Sequence, residues 1–228
     1  MKSESSIRQE IVEAGRRLYA AGLVAATDGN ISARLPGDHL VVTPAGSCLG
    51  DLRAEQLIVV ALHTAGQRCG GLLPARRQPT SELSMHLCAY AERPEIGAVV
   101  HAHPPTVTAF TVAGRSLDQP VLPEIVLSFG AIPTAPYATP STAEGAAVIR
   151  GLIRGHDVVV LDRHGAVAVG QDPLDAFRRI EKLEHAARVL FLAHQLGRIQ
   201  TLPADEVAAL TAMSRRGSPL PLPDRSRG

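Results

Sequence analysis

Apolar residues at Ile7, Ile11, Ala14, Leu18 and Ala21 recur at three- and four-residue steps behind a serine-rich start, and Gly22 follows. That spacing lines one face of a helix and predicts an amphipathic helix over 5–21 with a glycine stop. The pattern then breaks into short apolar pieces around 31–34, 40–43 and 57–62, separated by Asp28-Gly29-Asn30, Pro36-Gly37-Asp38 and Pro44-Ala45-Gly46. These read as strands joined by turns. Leu83, Leu87 and Tyr90 restore the helical step as far as Arg93-Pro94, and the β-branched run over 96–101 predicts a buried strand. Pro104-Pro105 opens a helix to Val112, 132–134 is a short strand, and Ser141 is expected to cap one helix from Thr142 to Arg154, with Glu144 at its third position. Strands at 157–161 and 166–169 flank the Asp162-Arg163-His164-Gly165 turn, and Pro173 starts a long helix towards Gly197. Helices and strands alternate throughout, which predicts an α/β or α+β architecture.

Beyond Gly197 the pattern weakens. Leu202-Pro203 opens a short helix to Met213, and the proline- and arginine-bearing end from Ser218 reads as a mobile tail. The expected organisation is one domain over 1–198, followed by a C-terminal helix and tail over 199–228.

Composition narrows the partners. The 228 residues are 45% hydrophobic and 20% charged, enough for a sizeable core. Lys plus Arg is 23 against 22 Asp plus Glu, and aromatics amount to three Tyr, four Phe and no Trp. That balance gives neither the basic footprint nor the stacking platforms of a nucleic-acid binder. The run Leu57 to Leu62 is about six residues against the ~20 that span a bilayer, so no membrane segment is expected. Cys48, Cys69 and Cys88 form no C-x-x-C pair, which argues against a disulfide framework or a cysteine zinc module and fits a cytoplasmic protein.

Candidate chemistry gathers at strand ends. His101-Ala102-His103 closes the 96–101 strand, and residues two apart on a strand share a face, so both rings can address one ion. Standing alone, the pair could equally be solvated. His164 lies in a turn between two strands and is either a third ligand or a turn residue capping a carbonyl; three histidines with an open position describe a catalytic divalent site. Glu82 at a helix start reads first as a charge on the helix dipole. His86, one turn later, is either a partner of Glu82 or a core-edge histidine. The turns at Gly29-Asn30, Gly46 and Thr80-Ser81 carry donors suited to an anion, although none matches a phosphate loop or a dinucleotide G-x-G-x-x-G. No G-x-S-x-G elbow occurs.

Taken together, T-D-G-N-I-S, V-T-P-A-G, T-S-E-L-S-M-H, V-V-H-A-H-P, I-P-T-A-P-Y-A-T-P and L-D-R-H-G-A-V-A-V-G resemble, in order and spacing, the class II aldolase/adducin-head family over roughly 5–198. The resemblance implies an αβα three-layer sandwich around a central, largely antiparallel sheet, assembled as a homotetramer with active sites between subunits. It implies His101, His103 and His164 as ligands of a divalent ion, zinc first and Mn2+, Co2+ or Fe2+ as other candidates. Glu82 becomes the acid/base carboxylate, which can also occupy the ion when substrate is absent. Gly29, Asn30, Gly46, Thr80 and Ser81 become the cradle of a substrate phosphate. Three departures stand out: Ala45 replaces a Ser or Thr, Glu124 stands near the position where relatives carry a cross-subunit tyrosine acid/base, and no tyrosine follows Tyr137.

The implied activity is a metal-dependent aldolase that breaks or forms a C–C bond next to a ketone in a small sugar or sugar phosphate through an enediolate. The same centre would serve a decarboxylase, an epimerase or a dehydratase. An Fe(II) oxygenase and a non-catalytic adducin-head-like scaffold are the readings from other classes.

Overall fold

The computed structural model describes residues 2–62 and 78–217. Cys69 and the tail expected from Ser218 lie outside the described residues. Strands β1 (Asn30–Leu35), β2 (His39–Val42), β3 (Ile58–Ala61), β4 (Ala98–Ala102), β5 (Thr134–Ala135), β6 (Val158–Leu161) and β7 (Gly165–Gly170) form one sheet in the order β3-β2-β1-β4-β7-β6-β5. Neighbours pair antiparallel except β5 with β6, which run parallel. The sheet is therefore largely antiparallel, as expected.

Alternation along the strands separates two cores. Ala98, Val100 and Ala102 of β4 pack with Ile31 and Ala33 of β1 against α1 (Glu4–Ala20), α3 (Pro105–Val112), α4 (Pro123–Phe129) and α7 (Pro173–Leu196). Val99 packs with Val159, Val167 and Val169 against α2 (Leu83–Glu92), α5 (Ala143–Ala147) and α6 (Arg150–Ile153). Two helical layers thus enclose the sheet, giving the three-layer sandwich. Helix α1 follows its apolar stripe, with Ile7, Ile11, Ala14 and Leu18 buried and the Ser3 side chain accepting from Ser6 N. Helix α7 starts at Pro173 behind an Asp172 cap, as the proline at the first turn favours. Outermost, α8 (Ala204–Gly217) is tied to the α4 region by Leu202 N to Pro120 O at 2.8 Å and Ser214 Oγ to Leu127 O at 2.7 Å.

Two local expectations change. The single helix over 142–154 is two, α5 and α6, and its cap is Thr142, whose hydroxyl accepts from Gly145 N at 3.1 Å; Ser141 itself takes a left-handed backbone, φ 61°. Helix α4 falls on a segment to which no element was assigned, because seven residues with a central apolar run are too short to declare a period.

Candidate metal centre

Period-two alternation decides what meets at the site. On β4, His101 points with Val99 to the α2 side, and in the antiparallel register His101 stands opposite Asn30, with Val99 opposite Ser32. His103 lies two residues beyond His101, just past the strand end. His164 is delivered by the β6–β7 hairpin, whose 162–164 loop closes on the Leu161–Gly165 pair. There Arg163 adopts φ 56° while its N–H donates to Thr111 Oγ1 at 2.9 Å, which fixes the turn. Gly165 is required by crowding, because a Cβ there would stand 2.3 Å from the Ala102 carbonyl oxygen. Gly29 carries both constraints, with φ +76° and a would-be Cβ 2.6 Å from Val24 Cγ1 and 3.0 Å from His101 O.

Glu82 occupies the N-cap position of α2 but makes no side-chain capping bond. Its carboxylate turns to the histidines instead, with Oε2 3.2 Å from His101 Nε2 and Oε1 3.5 Å from His164 Nε2. The sequence reading of Glu82 as a helix-dipole charge is thereby replaced. One ligand-type atom each from Glu82, His101, His103 and His164 lies within 4.8 Å of the others, the group of this kind found among the described residues. His101 is completely buried, while Glu82, His103 and His164 keep small openings to solvent.

The donor set can be tested on its own chemistry. His101 Nδ1 lies 3.0 Å from the Ala166 carbonyl, which only accepts, so Nδ1 carries the hydrogen and Nε2 turns its lone pair inwards. His103 Nδ1 faces Asp28 Oδ2 at 3.5 Å, which directs its Nε2 to the same point. The two Nε2 atoms are 3.0 Å apart. Lone pairs and a carboxylate converging at such distances repel unless a proton or a cation lies among them. Ligands ~2.0–2.1 Å from a tetrahedral zinc stand ~3.3 Å from one another, close to the spacings here.

Electrostatics agree. Burial pushes His164 down to about 4, with a further lowering from the neighbouring His101 and His103 rings, against the opposing pull of Glu82 and Asp28. His103 is lowered by burial and by the His101 ring. Burial raises the Glu82 carboxyl, but its neighbours His101, Asn30 and His164 outweigh it and hold the group well below the usual carboxylate range. Neutral imidazoles beside an ionised carboxylate are the state a divalent cation binds.

Two of the turns expected to carry anion donors lie close together. Pro44 bridges to Pro79, and Thr80 N donates to Thr43 O at 3.0 Å, so the Gly46 and Thr80-Ser81 turns lie side by side. Thr80 is buried and its hydroxyl oxygen accepts from Glu82 N at 3.3 Å; exposed Ser81 accepts from Ser141 Oγ at 3.0 Å. Asn30 is engaged from both sides, donating from Nδ2 to Glu82 Oε2 at 2.9 Å and facing His86 Nε2 with Oδ1 at 2.5 Å. Glu124, exposed in the first turn of α4, is not among the converging residues of the chain.

Of the two readings open for His86, partner of Glu82 or core-edge histidine, the structure gives neither in full. His86 is completely buried and joins Asn30 rather than Glu82. Its signal was the pair of polar residues two apart on β1, Asn30 and Ser32, facing His86 and Tyr90 four apart on α2. A groove beside Glu82 and His164, lined by Ser84, Pro136, Ser141 and Asp162, was also not anticipated.

Residues 9–191 match the family described as the class II aldolase and adducin N-terminal domain. The chain is 32% identical to the 3-oxo-tetronate 4-phosphate decarboxylase of Pectobacterium atrosepticum, over 92% of its own length and 95% of the relative's. It is also 32% identical to the 5-methylthioribulose-1-phosphate/5-deoxyribulose-1-phosphate aldolase of Rhodospirillum rubrum, over 90% and 89% of the two lengths. An L-fuculose 1-phosphate aldolase of solved structure is similar at TM-score 0.82 and 28% identity, covering 94% of this chain and 98% of that one. Six ordered motifs, a largely antiparallel sheet and the convergent histidines have one common source: the chain belongs to the class II aldolase and adducin N-terminal domain family.

Proposed function

We propose that the protein is a divalent-metal-dependent carbon–carbon lyase acting on a small phosphorylated sugar derivative. The observation that carries the reading is the inward convergence of the His101 and His103 Nε2 atoms, 3.0 Å apart, on the Glu82 carboxylate. A scaffold protein has no use for three imidazole lone pairs and a carboxylate that repel one another when empty.

His101, His103 and His164 hold the ion, zinc first and Mn2+, Co2+ or Fe2+ as the other candidates. When bound, such an ion supplies positive charge that polarises a substrate carbonyl and stabilises negative charge on adjacent oxygens. Glu82, kept ionised by its neighbours, is placed to take up a proton and return it to the carbon left electron-rich by bond cleavage. Asn30, Gly46, Thr80 and Ser81 offer donors to the substrate phosphate, with Gly29 holding the turn. Burial of His101 and Thr80 keeps water away from one side of the reacting atoms.

Two bond cleavages fit these residues. Loss of carbon dioxide from a 3-oxo acid phosphate needs no base to open the bond; the carbon then takes one proton, which comes from water and would be relayed by Glu82, the one well-placed carboxylate of the site. Relatives at 32% identity carry this activity. Retro-aldol cleavage of a ketose 1-phosphate also needs a group to take the hydroxyl proton, and Glu124 from a neighbouring subunit of a homotetramer is the candidate. Relatives with equal identity are named for that reaction.

The test is a parallel screen of protein loaded with Zn, Mn, Co or Fe(II). Carbon dioxide release is followed from 3-oxo-tetronate 4-phosphate, and aldehyde formation from a panel of ketose 1-phosphates and their unphosphorylated counterparts. Metal-dependent cleavage in one arm is expected. A protein that binds no stoichiometric metal and cleaves nothing returns the fold to the scaffold reading.

A further inference from the structure

Behind the Glu82 carboxylate a line of hydrogen bonds runs from the site into the layer between the sheet and α2. Asn30 Nδ2 lies 2.9 Å from Glu82 Oε2, and His86 Nε2 lies 2.5 Å from Asn30 Oδ1. His86 Nδ1 lies 2.7 Å from Ser32 Oγ, which is 3.0 Å from the Tyr90 hydroxyl. Beyond Glu82 the members come from two elements only: Asn30 and Ser32 share one face of β1, while His86 and Tyr90 share one face of α2. Ser32 and His86 are completely buried, and Tyr90 and Asn30 are at most 5% exposed. These groups therefore have each other as partners rather than bulk water.

The direction of every bond follows from one end. An ionised carboxylate only accepts, so Asn30 presents its nitrogen to Glu82 and its oxygen to His86. That oxygen also accepts, so the hydrogen between them belongs to His86 Nε2. Burial pushes the His86 ring down to about 3, so it is neutral and, with its hydrogen on Nε2, Nδ1 is an acceptor. The Ser32 hydroxyl hydrogen then points at Nδ1, and the Ser32 oxygen takes the hydrogen of Tyr90. Donation runs without a break from Tyr90 to Glu82.

We propose that His86 is a positioning residue of this site: fixed by Ser32 as the Nε2–H tautomer, it locks the Asn30 amide with its nitrogen towards Glu82 and its second N–H free for a substrate oxygen. The opposite amide orientation would set two acceptors, Asn30 Oδ1 and Glu82 Oε2, against each other at hydrogen-bond distance. Locking the amide before substrate arrives avoids reorganisation when charge develops there. Neither His86, Ser32 nor Tyr90 belongs to the converging Glu/His group, so the device acts through Asn30 alone.

The tautomer is read directly. In 15N-labelled, metal-free protein, long-range 1H–15N correlation is expected to show His86, identified by its loss in His86→Gln, with a protonated Nε2 and an unprotonated Nδ1 across neutral pH. An Nδ1–H ring or an imidazolium overturns the proposal whatever the protein catalyses. The kinetic arm rests on the lyase reading above. His86→Leu keeps bulk without a donor, whereas His86→Gln restores an N–H. We expect Leu to lower kcat about ten- to a hundredfold, the usual effect of orphaning a buried acceptor, with metal content unchanged, and Gln to recover most of that loss. Equal losses in the two variants, or a fall in melting temperature with kcat unchanged, overturn it. A wild type that cleaves nothing yet shows this tautomer supports the lock and overturns the lyase reading.

Discussion

Glu184 holds Thr106 three times over: Oε1 accepts from the Thr106 hydroxyl at 2.7 Å, and the two carboxylate oxygens share the Thr106 amide at 3.2 and 3.0 Å. Oε2 also accepts from Val107 N at 3.1 Å. A carboxylate from the middle of α7 thus closes the start of α3, which begins two residues after His103. The free amides at a helix start favour negative charge, and this one is 3% exposed.

Glu184→Gln keeps the size but removes the charge and turns an N–H2 group towards donors. We expect a loss of about 1.5–3 kcal/mol, the value of hydrogen bonds to a charged group, as a lower urea midpoint with an unchanged slope. A midpoint equal to that of the wild type would show that α3 does not depend on this cap.

Metal content tests the three histidines. His103 is the most open of them and points Nε2 at His101, so His103→Ala removes one ligand with little disturbance to the core. We expect wild-type protein dialysed against buffer to retain about one divalent ion per chain, and the variant to lose most of it, because affinity follows ligand number. Elemental analysis that finds equal metal in both removes His103 from the set.

Burial of a neutral imidazole leaves a signature in stability against pH. His86 is held at about 3 in the folded chain against 6.5 for an ordinary histidine. Between these values the unfolded chain binds a proton that the folded chain refuses, so stability is complete above 6.5 and falls as pH drops. One such proton contributes about 1.4 kcal/mol per pH unit well inside that window. In metal-free protein, urea unfolding at a series of pH values is expected to give His86→Gln a shallower acid slope by about one proton. Parallel slopes would mean that His86 is already protonated in the fold.

What the sequence made legible follows from which features are local. His101 and His103 could be paired from a strand period of two, and Pro173 and Gly197 bounded α7 by ordinary capping chemistry. The contacts of Asn30 with Glu82 and His86 join residues more than fifty apart and depend on how β1, α2 and β4 stack, which no local period encodes. The same holds for Glu184: a glutamate in a long helix looks like a solvated face until α3 is known to start against it. Glu82 misled for a related reason. Its position at the start of α2 holds, but the carboxylate faces His101 and His164 instead of the helix amides, a convergence set by how α2 packs beside β4 and the β6–β7 turn.

Glu124 offers the sharpest separation of roles. It follows Pro123 in the first turn of α4, exposed, and lies outside the Glu/His group of its own chain. The role proposed for it is on a neighbouring subunit's site, as an acid/base serving the carbonyl end of the substrate while Glu82 serves the carbon. Glu124→Gln keeps shape but cannot transfer a proton. We expect turnover to fall by ~10²–10⁴, metal content to stay whole, and exchange of the substrate's carbon-bound proton with solvent to continue. Glu82→Gln is expected to suppress that exchange together with turnover. Light scattering on the same samples should find a tetramer, since a monomer with full activity has no second subunit to lend the carboxylate. If Glu124→Gln turns over at the wild-type rate, the carboxylate is a solvated turn residue. The proton must then come from water or from Tyr137, which is 58% exposed and belongs to the 136–140 segment whose Pro136 and Pro140 line the groove beside Glu82.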